Sequence, residues 1–168
     1  MSYSLAQAQI LIDLATQTLI LPQHQKSYAI SSGKNGIGEQ ENSGKTPRGW
    51  HKIALKFGHS AAKNTVFIAR QATGEIYSSA LAEKYPERDW ILSRILWLSG
   101  LEKNINQGTG CDTFQRYIYI HGTPDTEPMG IPQSHGCIRM RNQDVIELFE
   151  LIDEDALVFI SAQPLAED

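Results

Sequence analysis

The residues best equipped for covalent chemistry fall in one short stretch: His121-Gly122-Thr123 and, thirteen residues after the histidine, Ser134-His135-Gly136-Cys137-Ile138-Arg139. A cysteine that attacks a carbonyl needs a base to remove its proton, a group that orients the base, and donors for the oxyanion. A free thiol of pKa about 8.5 is only a few per cent thiolate at neutral pH, so a nearby imidazole matters. The apolar run before His121 reads as a strand, and a strand end holds a side chain rigidly. Gly136 lets the backbone turn tightly before Cys137, which presents sulfur and amide hydrogens on the same side. Together these residues suit acyl transfer, with Cys137 as nucleophile and His121 as its base.

Other reactive side chains read differently. Cys111, between Gly110 and Asp112, is expected to be a bystander thiol, and a Cys111–Cys137 disulfide would silence the enzyme. His121, His135, Cys137 and Cys111 are zinc-ligand types, but no Cys-x-x-Cys or His-Glu-x-x-His spacing supports a metal module. His24, His51 and His59 lie on polar, turn-like segments and are expected to be solvated. Trp90 and Trp97 read as core or helix surface rather than a sugar platform. Tyr117 and Tyr119 share a strand face leading to His121, so one of them can wall the pocket, although packing is the simpler reading. The Gly-rich stretch from Ser32 to Gly38 lacks the Gly-Lys-Ser/Thr ending of a phosphate loop.

The positioning elements are mostly strands. Ile10, Ile12 and Leu14 alternate with Leu11, Asp13 and Ala15, and a turn at Thr16-Gln17 leads into Leu19-Ile20-Leu21, which suggests a hairpin. Tyr28–Ile30, Ile53–Leu55, Thr65–Ile68, Tyr117–Ile120 and Leu157–Ile160 read as further strands. Ser32 to Gly49 is a long turn-rich loop of the sort that is often functional. Two segments carry a helical period. One runs from Asp89 to Leu98, with Ile91, Leu92, Ile95 and Leu96 on a stripe behind Pro86. The other follows Asn142, taken as its N-cap, with Val145, Leu148, Phe149 and Ile152 on one face. This pattern predicts one domain over residues 1–168: mainly β, a sandwich with a few helices packed on it.

His-Gly-Thr followed by Ser-His-Gly-Cys-Ile-Arg resembles the signature of the L,D-transpeptidase (YkuD-type) family. The opening strand pair, the Ser32-Gly33-Lys34 turn, the Thr46-Pro47-Arg48-Gly49 loop and the final helix fall in family order, so the resemblance covers nearly the whole chain. It implies a YkuD-type β-sandwich with no metal or organic cofactor, and a thioester formed at the third residue of a peptidoglycan stem with loss of the terminal D-residue. It also implies that the Gly122 carbonyl orients the imidazole and that backbone amides around Gly136 and Cys137 form the oxyanion hole. His135 would lie beside the site. Arg139 would hold a substrate carboxylate or brace the loop, with Ser134 and Thr123 also on the substrate side. The partners implied are a tetrapeptide or muropeptide and carbapenem-type inhibitors. The same residues serve an L,D-carboxypeptidase, where water takes the acyl group, and a crosslinking transpeptidase, where an amine does. A catalytically dead peptidoglycan-binding domain is the other reading. Sortases also use Cys, His and Arg, but their Thr-Leu-x-Thr-Cys context is absent.

Composition narrows the partners. With 168 residues, 41% hydrophobic and 20% charged, the chain can bury a full core without staples. A formal net charge of -4 and the lack of a basic stripe argue against nucleic acid. No stretch approaches the roughly 20 apolar residues of a membrane span. The first basic residue is Lys26, and Asp13 interrupts the early apolar run. This reads as a cytoplasmic chain acting on released muropeptides in wall recycling, or a periplasmic one if the natural gene begins with a leader. On that basis hydrolysis, as an L,D-carboxypeptidase, is the expected outcome.

Overall fold

Alternating apolar residues produce ten strands, seen in a computed structural model that describes residues 2–165. In chain order they are β1 (Ile10–Asp13), β2 (Thr18–Leu21), β3 (Lys26–Ser31), β4 (Gly49–Phe57), β5 (Thr65–Ile68), β6 (Gln71–Ile76), β7 (Ile91–Gly100), β8 (Tyr119–Thr123), β9 (Ile138–Arg141) and β10 (Leu157–Ser161). A short helix, α1 (Ser79–Lys84), precedes β7, and α2 (Asn142–Leu151) follows β9. The hydrogen-bonded order is β4-β10-β1-β2-β3-β9-β8-β7-β5-β6, and β4 also pairs with β7. That extra pairing joins the two ends of the run, so eight strands form a closed barrel from which the β5–β6 hairpin projects. The sandwich expected from the sequence is therefore a barrel. Both architectures demand the same inward and outward alternation, and only the long-range β4–β7 pairing separates them.

The barrel interior is filled by side chains such as Ile12, Leu19, Ile53, Leu96, Leu98, Ile120, Ile138 and Met140, all fully buried. Burying one such Ile or Leu contributes roughly 1.5–3 kcal/mol. Helix α2 packs on β7, β8 and β9 through Val145, Leu148 and Phe149. Alternation then puts the intervening residues of the same strands on the outer face. Ile95, Trp97 and Tyr119 form a second apolar cluster there with Phe67, and Cys137 packs against it.

Two helical readings of the sequence change. Residues 89–98 are not a helix; Ile91–Gly100 is the long strand β7. Its register shifts between Leu92 and Ile95, where Ser93 takes a φ of +71°. Two-sided burial makes neighbouring residues apolar in pairs, and the polar bulge Ser93-Arg94 separates the pairs, so the spacing imitates a helical stripe. Asn142 is not the N-cap, which is Arg141. It is instead a fully buried tie: Nδ2 donates to the Thr123 carbonyl at 2.8 Å and Oδ1 accepts from Ser93 Oγ at 2.6 Å. The bulge of β7, the end of β8 and the start of α2 are thereby fixed to one another. β6 and β9 carried no clear signal, β6 because it is almost wholly exposed.

Candidate active site

Strands β8 and β9 run parallel, with Ile120 opposite Ile138 and His121 opposite Arg139. Continuing the register back by one residue sets Cys137 beside Tyr119. Since Ile120, Ile138 and Met140 point into the barrel, Tyr119, His121, Cys137 and Arg139 share the outer face. The two residues expected to do the chemistry are thus diagonal neighbours on adjacent strands.

The His121 ring is buried, and its Nδ1 lies 2.6 Å from the Gly122 carbonyl oxygen. A carbonyl can only accept, so the proton is on Nδ1 and Nε2 is left with a free lone pair, the form a base requires. Gly122 has to be glycine. An added Cβ would stand 2.5 Å from both the Leu92 carbonyl oxygen and Asn142 Oδ1. Burial holds the His121 pKa below its ordinary value, outweighing the Gly122 carbonyl and the Asp89 carboxylate, which favour the charged ring.

Cys137 is partly exposed, and its thiol is held by backbone. Tyr119 N–H donates to Sγ at 3.3 Å, and the thiol donates to the Tyr117 carbonyl at 3.4 Å. It is not hydrogen-bonded to the imidazole, so proton transfer requires it to leave these partners. Although the residue keeps one side open to solvent, its packing against the Ile95, Trp97 and Tyr119 cluster desolvates the sulfur and pushes the thiol up to about 11, against the Tyr119 N–H, which favours thiolate. With the thiol raised and the imidazole lowered, both groups are neutral at pH 7.

The turn before the cysteine is built from small polar contacts. Gly136 adopts φ +126°, which only glycine takes readily. Its N–H donates to Ser134 Oγ at 3.1 Å, and Ser134 Oγ donates to the Cys137 carbonyl at 2.5 Å. The Gly136 amide is therefore engaged within the turn and Ser134 has no hydroxyl proton left for a substrate. Of the two amides expected to face an oxyanion, Cys137 N–H is the one this turn does not use. Thr46, fully buried in the long loop, was missed as a site residue; its Oγ1 accepts from Gly33 N–H at 2.8 Å and donates to the Gly136 carbonyl at 2.9 Å. The one hint in the sequence was the Thr46-Pro47-Arg48-Gly49 loop itself.

Arg139 is 9% exposed and paired with Asp89 at 3.1 Å, and His135 Nδ1 stands 3.5 Å from the other Asp89 oxygen. Asp89 is the second residue that sequence reasoning missed, because fifty residues separate it from Arg139. Burial alone would raise its pKa, but His121, then Arg139 and His135, draw it below the ordinary carboxylate value. Arg139 is thus a neutralised, nearly buried cation, a geometry closer to bracing than to capturing a carboxylate. Thr123 is buried and lines a groove with Asp89, Pro124, His135 and Arg139, while a second groove runs past Gly44, Tyr117, Ile118 and His135. His135, well exposed, stands between the two.

Among the described residues no three His, Cys, Asp or Glu side chains gather into a metal-binding group, and Cys111 is a free thiol within reach of the Gly108 and Gln107 carbonyls. His51 is not solvated. It is fully buried on β4, with Nδ1 3.0 Å from the Gly49 carbonyl oxygen and Nε2 2.9 Å from Thr113 Oγ1, and burial drives its pKa down to about 4. Tyr117 lies just before β8 rather than on it, in a left-handed conformation and exposed, whereas Tyr119 is buried.

Comparison with curated proteins gives no match. The fold is similar to an L,D-transpeptidase from Mycobacterium smegmatis, with 16% identity, a TM-score of 0.53, and 92% of this chain aligned to 59% of that one. It is also similar to L,D-transpeptidase 3 from Mycobacterium tuberculosis in complex with a faropenem-derived adduct (15% identity, TM-score 0.53, 92% and 59%). A third similar structure is the L,D-transpeptidase of Enterococcus faecium (17%, 0.52, 92% and 50%). The chain thus spans between half and three fifths of the length of these proteins. Its sequence matches the L,D-transpeptidase catalytic domain, YkuD, over residues 7–160, nearly its full length, and the protein belongs to that family.

Proposed function

We propose that this chain is a cysteine acyltransferase acting on peptidoglycan stem tetrapeptides, and that it works as an L,D-carboxypeptidase. The observation that carries the reading is the outer face of β8 and β9. A thiol and a histidine of fixed tautomer sit there as diagonal neighbours, with the free Nε2 as the available base. Cys137 Sγ attacks the carbonyl carbon of the third stem residue as its proton passes to His121 Nε2. The Cys137 N–H supports the oxyanion. Collapse breaks the bond to the terminal D-alanine, whose amine leaves with the proton from His121, and a thioester remains. Water then attacks the thioester with His121 again as base, and a tripeptide is released.

Hydrolysis is favoured because the cysteine is partly open to solvent. Water needs no binding site, whereas an acceptor amine must be held. The competing reading, transfer to a second stem to form a 3-3 crosslink, draws support from the two grooves that flank His135. Chromatography with mass detection on a disaccharide tetrapeptide decides between them. Tripeptide and free D-alanine are expected across a range of substrate concentrations, and dimer dominating at modest concentration would establish the transpeptidase. Cys137→Ala abolishes D-alanine release without loss of fold. Retained release in that variant would remove Cys137 as nucleophile. Carbapenems are the expected inhibitors of the same thiol.

A further inference from the structure

Each arginine near Cys137 can be traced to its partners. Arg139 pairs with Asp89. Arg116 directs its guanidinium to the Lys45 carbonyl at 2.6 Å, with the Gly38 carbonyl and Ser43 Oγ farther off. Neither Arg116 nor Arg70 has a carboxylate within ion-pair distance among the described residues, but where backbone carbonyls occupy the Arg116 guanidinium, that of Arg70 is mounted on aromatic rings. Its Nη1 donates to Tyr119 Oη at 2.9 Å, and its guanidinium lies 4.7 Å from the Trp97 ring centroid and 5.4 Å from that of Tyr117.

Two unusual pieces of backbone place this group. Ile68 pairs with Gln71, so Ala69-Arg70 is a two-residue hairpin turn, with φ of +49° and +64°. Such turns favour Asn-Gly, because both residues must take positive φ. Tyr117, at φ +56°, is a bulky aromatic in the same sparsely used region. These two features meet on one shelf. That shelf adjoins the reacting sulfur, since the main chain of Tyr117 and Tyr119 holds the Cys137 thiol. The groove over it, about 420 Å³, is bordered by Glu41, Arg70, Trp97, Phe114, Gln115 and Tyr117, which is room for a short peptide segment.

We propose that Arg70, mounted on Trp97 and Tyr117, is a carboxylate subsite that orients a peptide substrate over Cys137. The proposal rests on the acyl-transfer reading above and names the substrate chemistry that site selects. A guanidinium already stacked and tethered keeps its planar fork ready for a carboxylate, so little side-chain freedom is lost on binding. Glu41, in the same groove, repels a carboxylate and attracts an amine. The groove therefore favours a zwitterionic peptide in one orientation. The carboxylate is either the terminal one on the leaving residue or an internal one of the stem.

The test measures turnover and binding separately. On a free-acid tetrapeptide, Arg70→Gln is expected to raise KM at least tenfold with kcat within about threefold, and Arg70→Lys to recover part of the loss. Calorimetry in a Cys137→Ala background should show the same tenfold weakening of peptide binding by Arg70→Gln. Two amidated peptides, one at the terminal and one at the internal carboxylate, identify the group recognised. The matching amide binds wild type weakly and loses nothing more in Arg70→Gln. Unchanged KM and binding in Arg70→Gln, or a lowered melting temperature alone, would overturn the subsite, as would losses that multiply for both amides. Peptide that binds in an Arg70-dependent way without D-alanine release would refute the proposed reaction and leave the subsite standing.

Discussion

A resting neutral pair at Cys137 and His121 has a measurable signature in the rate at which the thiol is alkylated. With its pKa pushed up to about 11, Cys137 is about 0.01% thiolate at pH 7, against the few per cent of a free thiol, a deficit of more than a hundredfold. Only the thiolate reacts appreciably with iodoacetamide. The alkylation rate of Cys137 should therefore rise about tenfold per pH unit between pH 7 and 10, without a plateau. The assay is intact-protein mass spectrometry over time in a Cys111→Ser background, which removes the other thiol. His121→Ala should leave this slope unchanged, because the imidazole is not hydrogen-bonded to the resting sulfur. A plateau between pH 6 and 8 that disappears in His121→Ala would refute the reasoning. It would mean that the pair rests as thiolate and imidazolium, so that His121 ionises the nucleophile before substrate arrives instead of acting as base during attack.

Gly122→Ala forces a methyl against the Leu92 carbonyl and buried Asn142. We expect a loss of about 1–3 kcal/mol, seen as a melting temperature several degrees lower, with D-alanine release falling more than tenfold as the carbonyl that fixes the His121 tautomer shifts. Wild-type values for both would show that the site tolerates the displacement. His51 is buried with its pKa near 4 against 6.5 when unfolded. The unfolded chain thus binds its proton first, and the stability held by neutral His51 is full above pH 6.5 and falls by up to about 3 kcal/mol as the pH drops towards 4. Urea melts from pH 4 to 7.5 should show His51→Gln less stable at neutral pH and flatter in slope; parallel slopes would place the acid sensitivity elsewhere. A carbapenem should add its own mass to wild type and nothing to Cys137→Ala, and an adduct on both would locate the reactive group away from Cys137.

Which residues lie together was more legible in this sequence than the architecture that holds them. Cys137, His121 and Gly122 could be placed because their relation is local: a strand runs into the histidine, and a glycine turn precedes the cysteine. Asp89 and Thr46 could not, since each reaches the site by a contact that spans fifty residues or more. Ser134 was given a substrate role because a hydroxyl beside a nucleophile has two possible uses, and the sequence does not reveal that the turn itself takes it. The helix read at residues 89–98 failed at a bulge, where a polar pair inside a doubly buried strand leaves a period close to 3.6. The sandwich failed at closure, which is a property of paired ends and leaves no mark on any single strand. His51 looked solvated because its neighbours are polar, yet the strand carries it inward.

β1 lies between β2 and β10, pairing in parallel with β10, and β10 in turn meets β4. The wall that supports the reactive face is thus completed by β10, the last of the ten strands in chain order, set beside β1, the first of them. Contacts of such sequence separation form slowly, because a large loop must close before they stabilise anything. By contrast, β8 and β9 are joined by a short crossover and can find each other early. During synthesis the thiol and imidazole would then sit on an unfinished scaffold, without the packed barrel beneath them. Acylation by a β-lactam probe would report completion of the barrel, and its appearance in a refolding experiment should track the slowest phase rather than the first.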